Sequence, residues 1–169
     1  MKNTLFERRS IRAYKSSPIK EEELDYVLKA ALYAPTGRNL QTTIMVSTQD
    51  KELISRLSKM NAQVMGVESD PFYGAPAVVM VFADSTVRTH FEDGCLAMGN
   101  MLNAAYEIGL GSCWIHRARE VFSSDEGKAL MKEWGVPEHY VGIGNCILGY
   151  ADCEHPQPAE RKDGRIIKL

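Results

Sequence analysis

Ala77-Val78-Val79-Met80-Val81-Phe82-Ala83 is the stretch around which the rest of this 169-residue chain is organised. It contains no polar residue, which is typical of a strand buried on both faces at the centre of a sheet. Residues 70–76 before it combine two prolines with a glycine, the composition of a loop. We therefore predict that residues 77–83 form a central strand.

Further helices and strands are predicted on both sides of this stretch. Apolar residues spaced three and four apart predict helices over 21–33, 50–65, 89–108 and 124–134, with a short helix near 3–9. Runs of apolar and β-branched residues predict strands over 42–48, 112–115 and 140–148, and an edge strand at 165–169. No repeat or flexible linker interrupts this order, so residues 1–169 are predicted to form a single domain.

The longest predicted helix, over residues 89–108, is apolar around much of its girth and rich in glycine and alanine. A helix of that kind is typically buried or lies in a subunit interface. Among the other helices, we expect Asn3 or Thr4 to cap the first and Ser123 or Ser124 to cap the last, because short polar side chains satisfy the free N–H groups of a helix start.

The composition, 44% hydrophobic and 25% charged, is that of a soluble globular protein and excludes disordered and collagen-like chains. No apolar run reaches the roughly 18 residues that span a membrane, and the first residues lack the apolar core of a secretory signal. The four cysteines form no Cys-x-x-Cys pair and do not combine with the histidines at metal-ligand spacing. We expect a cytoplasmic protein with reduced thiols and no metal site.

The net charge of −2 argues against a dedicated nucleic-acid binder, but the charges are unevenly placed. Residues 1–20 hold six basic residues and one acid, and residues 157–169 hold four against two. The body between them, residues 21–156, holds 10 basic and 19 acidic residues. Two interpretations stay open: both termini are solvated tails, or both fold back to form one anion-binding site.

Four segments have compositions suited to ligand binding. Arg8-Arg9-Ser10-Ile11-Arg12 offers guanidinium forks and a hydroxyl, which are groups that hold phosphate. No phosphate loop or Gly-x-Gly-x-x-Gly turn is present, so side chains must hold any phosphate that binds. The other segments are a helix-ending loop at 34–41, a glycine-rich entry into a strand at 109–116 and a basic stretch at 161–165. Each also has a plainer interpretation as surface arginines or a tight turn.

The order of these four segments resembles the nitroreductase family of FMN-dependent oxidoreductases over essentially the whole chain, which is similar to a short member of that family. The resemblance implies an α+β fold with a central, mainly antiparallel sheet flanked by helices. It also implies an intertwined homodimer with an exchanged C-terminal segment and two FMN sites at the interface. A tail at 151–169 that reaches a partner chain agrees with the lack of helical period there.

The resemblance also implies which residues bind FMN. Arg8 and Ser10 would bind the phosphate and ribityl chain with Arg9 adjacent, and Lys162 and Arg165 would close on the phosphate. Arg12 would approach the pyrimidine edge of the flavin. The remaining contacts would come from Pro35, Thr36, Gly37 and Asn39 of the other subunit, and from the backbone around Trp114, Ile115 and His116.

The implied reaction passes electrons from NADH or NADPH, through flavin N5, to an electron-poor small molecule such as a nitroaromatic or a quinone in a ping-pong cycle. No protein nucleophile or general base is needed, and the sequence offers no convincing triad. Reduced flavin gains negative charge near N1 and O2, so a nearby cation stabilises it. Arg12 is the candidate for that tuning role.

The chain departs from the family pattern ahead of the central strand, where many members place a lysine or asparagine near the flavin edge. Residues 67–73 contain no lysine. Two interpretations stay open for this segment: it covers the flavin as a lid that brings Phe72 and Tyr73 to the substrate, or both rings pack in the core. Arg38 and His116 are further candidate substrate contacts.

Other functions stay open beside this one. One is a specialised flavin reaction such as reductive dehalogenation, and another is a flavin-binding or storage protein with little turnover. A third is a nucleotide-binding interaction module without FMN. Charge and hydropathy leave nucleic acid and membranes outside the expected partners.

Overall fold

A computed structural model describes residues 3–169 and shows one antiparallel sheet between two groups of helices. The strands are β1 (Thr43–Thr48), β2 (Ala77–Asp84), β3 (Gly111–Ile115) and β4 (Tyr140–Gly149). The helices are α1 (Thr4–Glu7), α2 (Glu21–Leu32), α3 (Lys51–Met65), α4 (His90–Glu107), α5 (Ala118–Ser123) and α6 (Asp125–Glu133). Neighbouring strands pair antiparallel in the order β1-β2-β4-β3, so β2 and β4 are central.

Strand β2 is buried on both faces, which confirms the predicted central strand. Val79 and Val81 pack in a core cluster with residues of α2 and α4. Met80 and Phe82 alternate with them and pack in a second cluster with residues of α3, α5 and α6. Because each face of the sheet is covered by helices, this strand has no polar side chain before its last residue, Asp84.

Helix α4 has both buried and exposed apolar side chains. Met98 and Met101 are fully buried against the sheet, and Gly94 lies so close to β4 that a Cβ there would come within 2.6 Å of the Ile143 side chain. Elsewhere on the same helix, Phe91 and Leu96 are 40% and 47% exposed. Within a single chain, α4 therefore fills the core while leaving large apolar side chains in solvent.

The remaining helix predictions agree in part with the structure. Ser124 caps α6, since its Oγ accepts a hydrogen bond of 3.0 Å from the amide of Gly127. The predicted cap of α1 is wrong, because Asn3 precedes the helix without a side-chain capping bond and Thr4 is already its first residue. Helix α5 was not predicted, since six residues are too few to show a helical period.

The two ends of the chain differ from expectation. Residues 165–169 form no strand, because no sheet edge of the same chain lies beside them and their side chains are exposed. Lys2, which contributes to the basic N-terminal segment, lies outside the described residues. Among residues 3–169, no helix is long and apolar enough to cross a bilayer. Within that same range, no group of three or more histidine, cysteine or acidic side chains is placed to hold a metal ion.

Candidate active site

The N-terminal basic segment is fixed to the edge of the sheet beside β3. The amide of Ile11 donates to the carbonyl of Ser112 at 3.0 Å, and the amide of Lys15 donates to the carbonyl of Tyr150 at 2.9 Å. Ile11 is buried, and a Cβ at Gly111 would lie 3.0 Å from its side chain, so only glycine fits opposite it without displacement. Residues 10–15 therefore lie along the edge of the sheet, anchored by Ile11 in the core, and are not a solvated tail.

Tyr14 stabilises this segment from within. Its hydroxyl donates to the carbonyl of Ile11 at 2.7 Å. Burial is the main cause that raises the pKa of the Tyr14 hydroxyl above its ordinary value, while the nearby charge of Arg12 acts in the opposite direction. The hydroxyl therefore stays protonated over the whole physiological range and remains a hydrogen-bond donor.

Arg8 and Arg9 carry buried polar atoms that the chain does not satisfy. One guanidinium nitrogen of Arg8, Nη1, is buried without an acceptor, and so is Nε of Arg9. The Nη1 atom of Arg9 donates to the carbonyls of Phe6 and Arg8 at 2.9 and 2.7 Å, which directs part of that group back to the backbone. A buried donor without a partner costs about 1–3 kcal/mol. An anion that accepts from Arg8 would remove that cost.

A cleft of about 290 Å³ lies at the end of β3, next to the N-terminal segment. It brings together several residues that the sequence singled out, and its lining comprises Arg12, Met65, Pro71, Tyr73 and residues 113–117. Arg12 is exposed and makes no hydrogen bond or ion pair with any other residue of the range 3–169. Arg117 differs, because its Nη1 donates to Glu120 Oε1 at 2.9 Å. Arg12 is therefore the free cation of this cleft among the described residues that line it.

Trp114 lines this cleft, but its side chain is directed into the core. Its indole packs with the core cluster on the α4 side of the sheet, and Gly144 allows the approach, since a Cβ there would lie 2.5 Å from the indole nitrogen. That nitrogen is buried without an acceptor. Ile115 is buried and His116 is exposed, so the chain leaves the sheet between them.

The loop before β2 resolves the two interpretations of Phe72 and Tyr73 differently for each residue. Phe72 is 1% exposed and packs in the core, so the prediction that it contacts substrate is wrong. Tyr73 is 41% exposed, has a positive φ of 54° and lines the cleft. Asp70 holds the turn, because its carboxylate accepts from the amides of Phe72 and Gly74 at 2.8 and 2.7 Å and from the Ser58 hydroxyl. The segment is a turn fixed by hydrogen bonds, in which the Phe72 ring is buried and Tyr73 lines the cleft.

The loop at 35–41 lies in a different cleft of the same chain, together with residues 86–89. Arg38, Asn39 and Gln41 all have positive φ, between 52° and 56°, which is uncommon for residues other than glycine. The buried carboxylate of Asp93 holds the loop, accepting from the Gly37 amide at 2.9 Å and the Thr42 hydroxyl at 2.8 Å. Of Pro35, Thr36, Gly37 and Asn39, only Gly37 lines this second cleft, and none of the four lines the cleft that contains Arg12.

The C-terminal basic residues do not join either cleft within one chain. Lys162 and Arg165 are exposed and make no hydrogen bond or ion pair with another described residue. The last tie of the tail to the body is at His155, whose Nε2 hydrogen-bonds the Glu7 carbonyl at 2.8 Å. The two basic ends therefore do not meet in a single chain.

Comparisons with known proteins agree with this geometry. The sequence matches the nitroreductase family over residues 5–72 and 61–150. The chain belongs to the nitroreductase family. The family resemblance stated from the sequence is thereby confirmed, and so is the α+β fold with its antiparallel sheet.

The relatives of this nitroreductase-family chain span nearly its full length. A protein of Archaeoglobus fulgidus whose name joins NADH dehydrogenase with NAD(P)H nitroreductase is 31% identical over 165 residues, covering 94% of this chain and 86% of its own. The crystal structure of a Bacteroides fragilis nitroreductase with bound FMN is 26% identical, with a TM-score of 0.87, and the match covers 98% and 96% of the two chains. An FMN-dependent nitroreductase of Clostridium difficile is 25% identical, with a TM-score of 0.88 and coverage of 99% and 97%.

Sequence reasoning missed two aspartates that organise the site loops. Asp93 is 2% exposed and lies one helical turn before the buried residue Ala97 of α4. An acid on the apolar face of a helix was the available signal, because a carboxylate is buried only when donors surround it. Asp70 had a weaker signal, as an aspartate at the start of a Pro- and Gly-containing turn.

Proposed function

We propose that this chain is an FMN-dependent oxidoreductase that passes electrons from NADH or NADPH to an electron-poor small molecule, such as a nitroaromatic or a quinone. The observation that carries the proposal is the buried Arg8 nitrogen without an acceptor, four residues before the free cation Arg12 of the cleft. A phosphate bound by Arg8 and a ring system bound beside Arg12 fit one phosphorylated, planar cofactor. When bound, FMN would supply the two-electron chemistry that the side chains of the cleft lack.

The N-terminal segment would hold the phosphate end of FMN. Arg8 and Ser10 would bind the phosphate and ribityl chain, with Arg9 beside them. Ser10 and Ile11 pair with Ser112 of β3, and Arg9 is bonded to the carbonyl of Phe6, so little conformational entropy remains to be lost on binding. Lys162 and Arg165 would close on the phosphate from the C-terminal tail, which is free to do so because the body does not hold it.

Arg12 would act on the electronic state of the flavin. Its charge is not neutralised by any carboxylate among residues 3–169, so it is available to stabilise negative charge at the pyrimidine edge. The backbone of Trp114, Ile115 and His116 would run along the same edge. The proposal assigns no protein base, although the cleft lining includes His116 and Cys113 beside Arg12, Arg117 and Tyr73.

A homodimer would complete the site. Pro35, Thr36, Gly37 and Asn39 lie away from the Arg12 cleft of their own chain, so they would serve the flavin of the partner subunit. The exposed apolar side chains of α4, Phe91 and Leu96, and those of the tail, Ile166 and Ile167, supply apolar surface for such an interface.

Donor and acceptor would use the same cleft in turn, which gives ping-pong kinetics. Tyr73 would cover the bound ring from the turn that Asp70 holds, and Arg38 would contact substrate from the partner's loop. A cleft with apolar and aromatic lining suits small planar acceptors.

The test begins with the colour of the purified protein. We expect a yellow protein whose flavin spectrum is bleached by NADH or NADPH under anaerobic conditions and restored by a nitroaromatic or a quinone. A colourless protein that does not take up added FMN would refute the proposal. A yellow protein that neither dinucleotide bleaches would instead favour a flavin-storage role.

A further inference from the structure

Two arginines that form no ion pair with another described residue line one cleft beside the loop at 35–41. The cleft has a volume of about 360 Å³ and lies between this loop and the turn at 86–89. Arg38 stands on one wall and Arg88 on the other. Thr86 and Thr89 also line it, but the hydroxyl of each donates to a carboxylate of its own wall, so the two arginines supply the free donors of the cleft.

Among the arginines of residues 21–156, these two differ from the rest in their contacts. Arg56 is paired with Glu126 at 2.7 Å, and Arg119 lies over the Phe91 ring at 5.1 Å from its centroid. Arg117 is paired with Glu120, as described above. Across the described part of the segment 21–156, Arg38 and Arg88 are the arginines left without an ion pair, hydrogen bond or ring contact. Both are in an acidic body yet remain unneutralised.

The two acids that bond residues of the cleft walls, Asp93 and Asp84, are already engaged. Both carboxylate oxygens of Asp93 accept bonds from the two walls, including one of 3.2 Å from the Thr89 hydroxyl. Asp84 accepts from the amide and hydroxyl of Thr86 at 2.9 and 2.6 Å. The two guanidinium groups therefore keep their donors for a ligand.

The walls of the cleft are rigid. Gly37 and Thr89 touch so closely that a Cβ on Gly37 would lie 2.3 Å from the Thr89 hydroxyl oxygen. Asp93 bonds both of these residues, so the two loops are tied at one point. Arg38 follows directly with a φ of 53°, a backbone conformation that costs energy and persists only where neighbours impose it. Its side chain thus starts from a fixed position.

We propose that Arg38 and Arg88 together bind an anionic group, a carboxylate or a phosphate, on the substrate that reaches the flavin of the partner subunit. The proposal rests on the proposed function, which places the loop at 35–39 against that flavin. Two guanidinium forks that line one cleft can each donate paired hydrogen bonds to the oxygens of such a group. The anion belongs either to the phosphates of the nicotinamide donor or to an acidic acceptor.

Direct binding tests the cleft without turnover. Inorganic pyrophosphate is titrated calorimetrically into the protein with its FMN bound, for the wild type, Arg88→Ala, Arg38→Ala and the control Arg56→Ala. Because one charge-assisted contact contributes about 1.5–3 kcal/mol, each cleft variant should weaken binding about tenfold or more. The control removes the same charge elsewhere and should change the affinity less than twofold. Equal losses in all variants, or none in the cleft variants, would overturn the proposal.

Paired substrates separate the two sources of the anion. If the donor is recognised, Arg88→Ala raises KM for NADPH, and for NADH as well when the shared pyrophosphate is the bound group. If the acceptor is recognised, it raises KM for nitrobenzoate and leaves that for the neutral nitrobenzamide unchanged, with partial rescue in Arg88→Lys. If Arg88→Ala turns over substrate with all these KM values unchanged, the proposed anion site is wrong while the proposed function stands. If the protein takes up no FMN but still binds pyrophosphate through Arg88, the proposed function is wrong while the anion site stands.

Discussion

The two basic ends of this chain have similar compositions and opposite structural states. Residues 8–15 lie along β3 and the end of β4, with Ile11 in the core and an Arg8 nitrogen buried. Residues 156–169 leave the body after His155 and carry Ile166, Ile167 and Leu169 at exposures of 82%, 82% and 119%. A charge count treats these segments alike, but only the first has neighbours within its own chain.

The difference shows which half of the proposed anion site one chain can build. The N-terminal half is preformed, because backbone bonds and a buried side chain fix it before any ligand binds. The C-terminal half has no support from the body, so it can contribute only by docking elsewhere. Exposed apolar side chains at its end indicate that the docking surface is protein, and a second copy of the chain is the proposed partner.

Removing residues 157–169 should have the largest effect, by destroying the dimer. Burying Ile166, Ile167 and Leu169 on a partner contributes about 1.5–3 kcal/mol each, so their loss should raise the dimer dissociation constant about a thousandfold or more. Light scattering over a dilution series measures it. The full-length double variant Ile166→Ser with Ile167→Ser should dissociate almost as readily. A truncated protein that remains dimeric at low concentration would show that the tail is not part of the interface.

Ile11→Ala should lower the free energy of unfolding by about 2–5 kcal/mol, since it leaves a cavity beneath the N-terminal segment. Denaturant titration should give this loss at every protein concentration. The matched change in the tail, Ile167→Ala, should lower stability only through the dimer, and so its effect should vanish on dilution. Equal, concentration-independent losses would mean that both ends are built into a single chain.

Arg8→Ala should weaken FMN binding about 10- to 100-fold, the equivalent of one charge-assisted contact of about 1.5–3 kcal/mol. Fluorescence quenching of added FMN measures the affinity, with the exposed Lys15→Ala as control. Without FMN the variant should be no less stable than the wild type, because it removes a buried nitrogen that has no acceptor. Arg165→Ala tests the other end: an unchanged affinity would exclude the tail from the phosphate.

Tyr150→Phe should have the smallest effect, at the point where the tail leaves the sheet. The Tyr150 hydroxyl donates to Glu23 at 2.6 Å, and this bond is the main cause that lowers the pKa of the Glu23 carboxyl below its ordinary value of 4.5. A lowered pKa stabilises the fold above that ordinary value and stops doing so as the pH falls through the lowered one. The melting temperatures of variant and wild type should therefore differ slightly at pH 7 and converge in acid. A difference that persists in acid would assign the effect to packing.

Local patterns predicted most of the secondary structure. The apolar run 77–83 became β2, the predicted helix over 50–65 became α3 (Lys51–Met65), and the helix over 89–108 became α4 (His90–Glu107). These elements have enough residues for a period of two or of about 3.6 to show. Helix α5 was too short for its period to be seen, and residues 165–169 could not form a strand without an edge to pair with.

The candidate site was predicted as a set of residues but not as an arrangement. Arg12, Tyr73 and residues 114–116 do share one cleft, while the loop at 35–39 faces another with Arg88, which no local pattern had marked. Phe72 and Tyr73 are adjacent in the sequence, yet one is core and the other lines the cleft. The turn held by Asp70 decides that division, and Ser58 of the preceding helix α3 bonds the same carboxylate.

The sequence by itself determined the central strand, the order of the elements and the family, because each is written in residue types along a continuous stretch. Only the tertiary structure decided that one nitrogen of Arg8 is buried without an acceptor, that Asp93 holds the loop at 35–41, and that Arg38 and Arg88 line one cleft. These facts depend on contacts between segments far apart in the chain. The physical reason is that periodicity records whether a side chain is buried, whereas the folded packing of other segments decides what it is buried against.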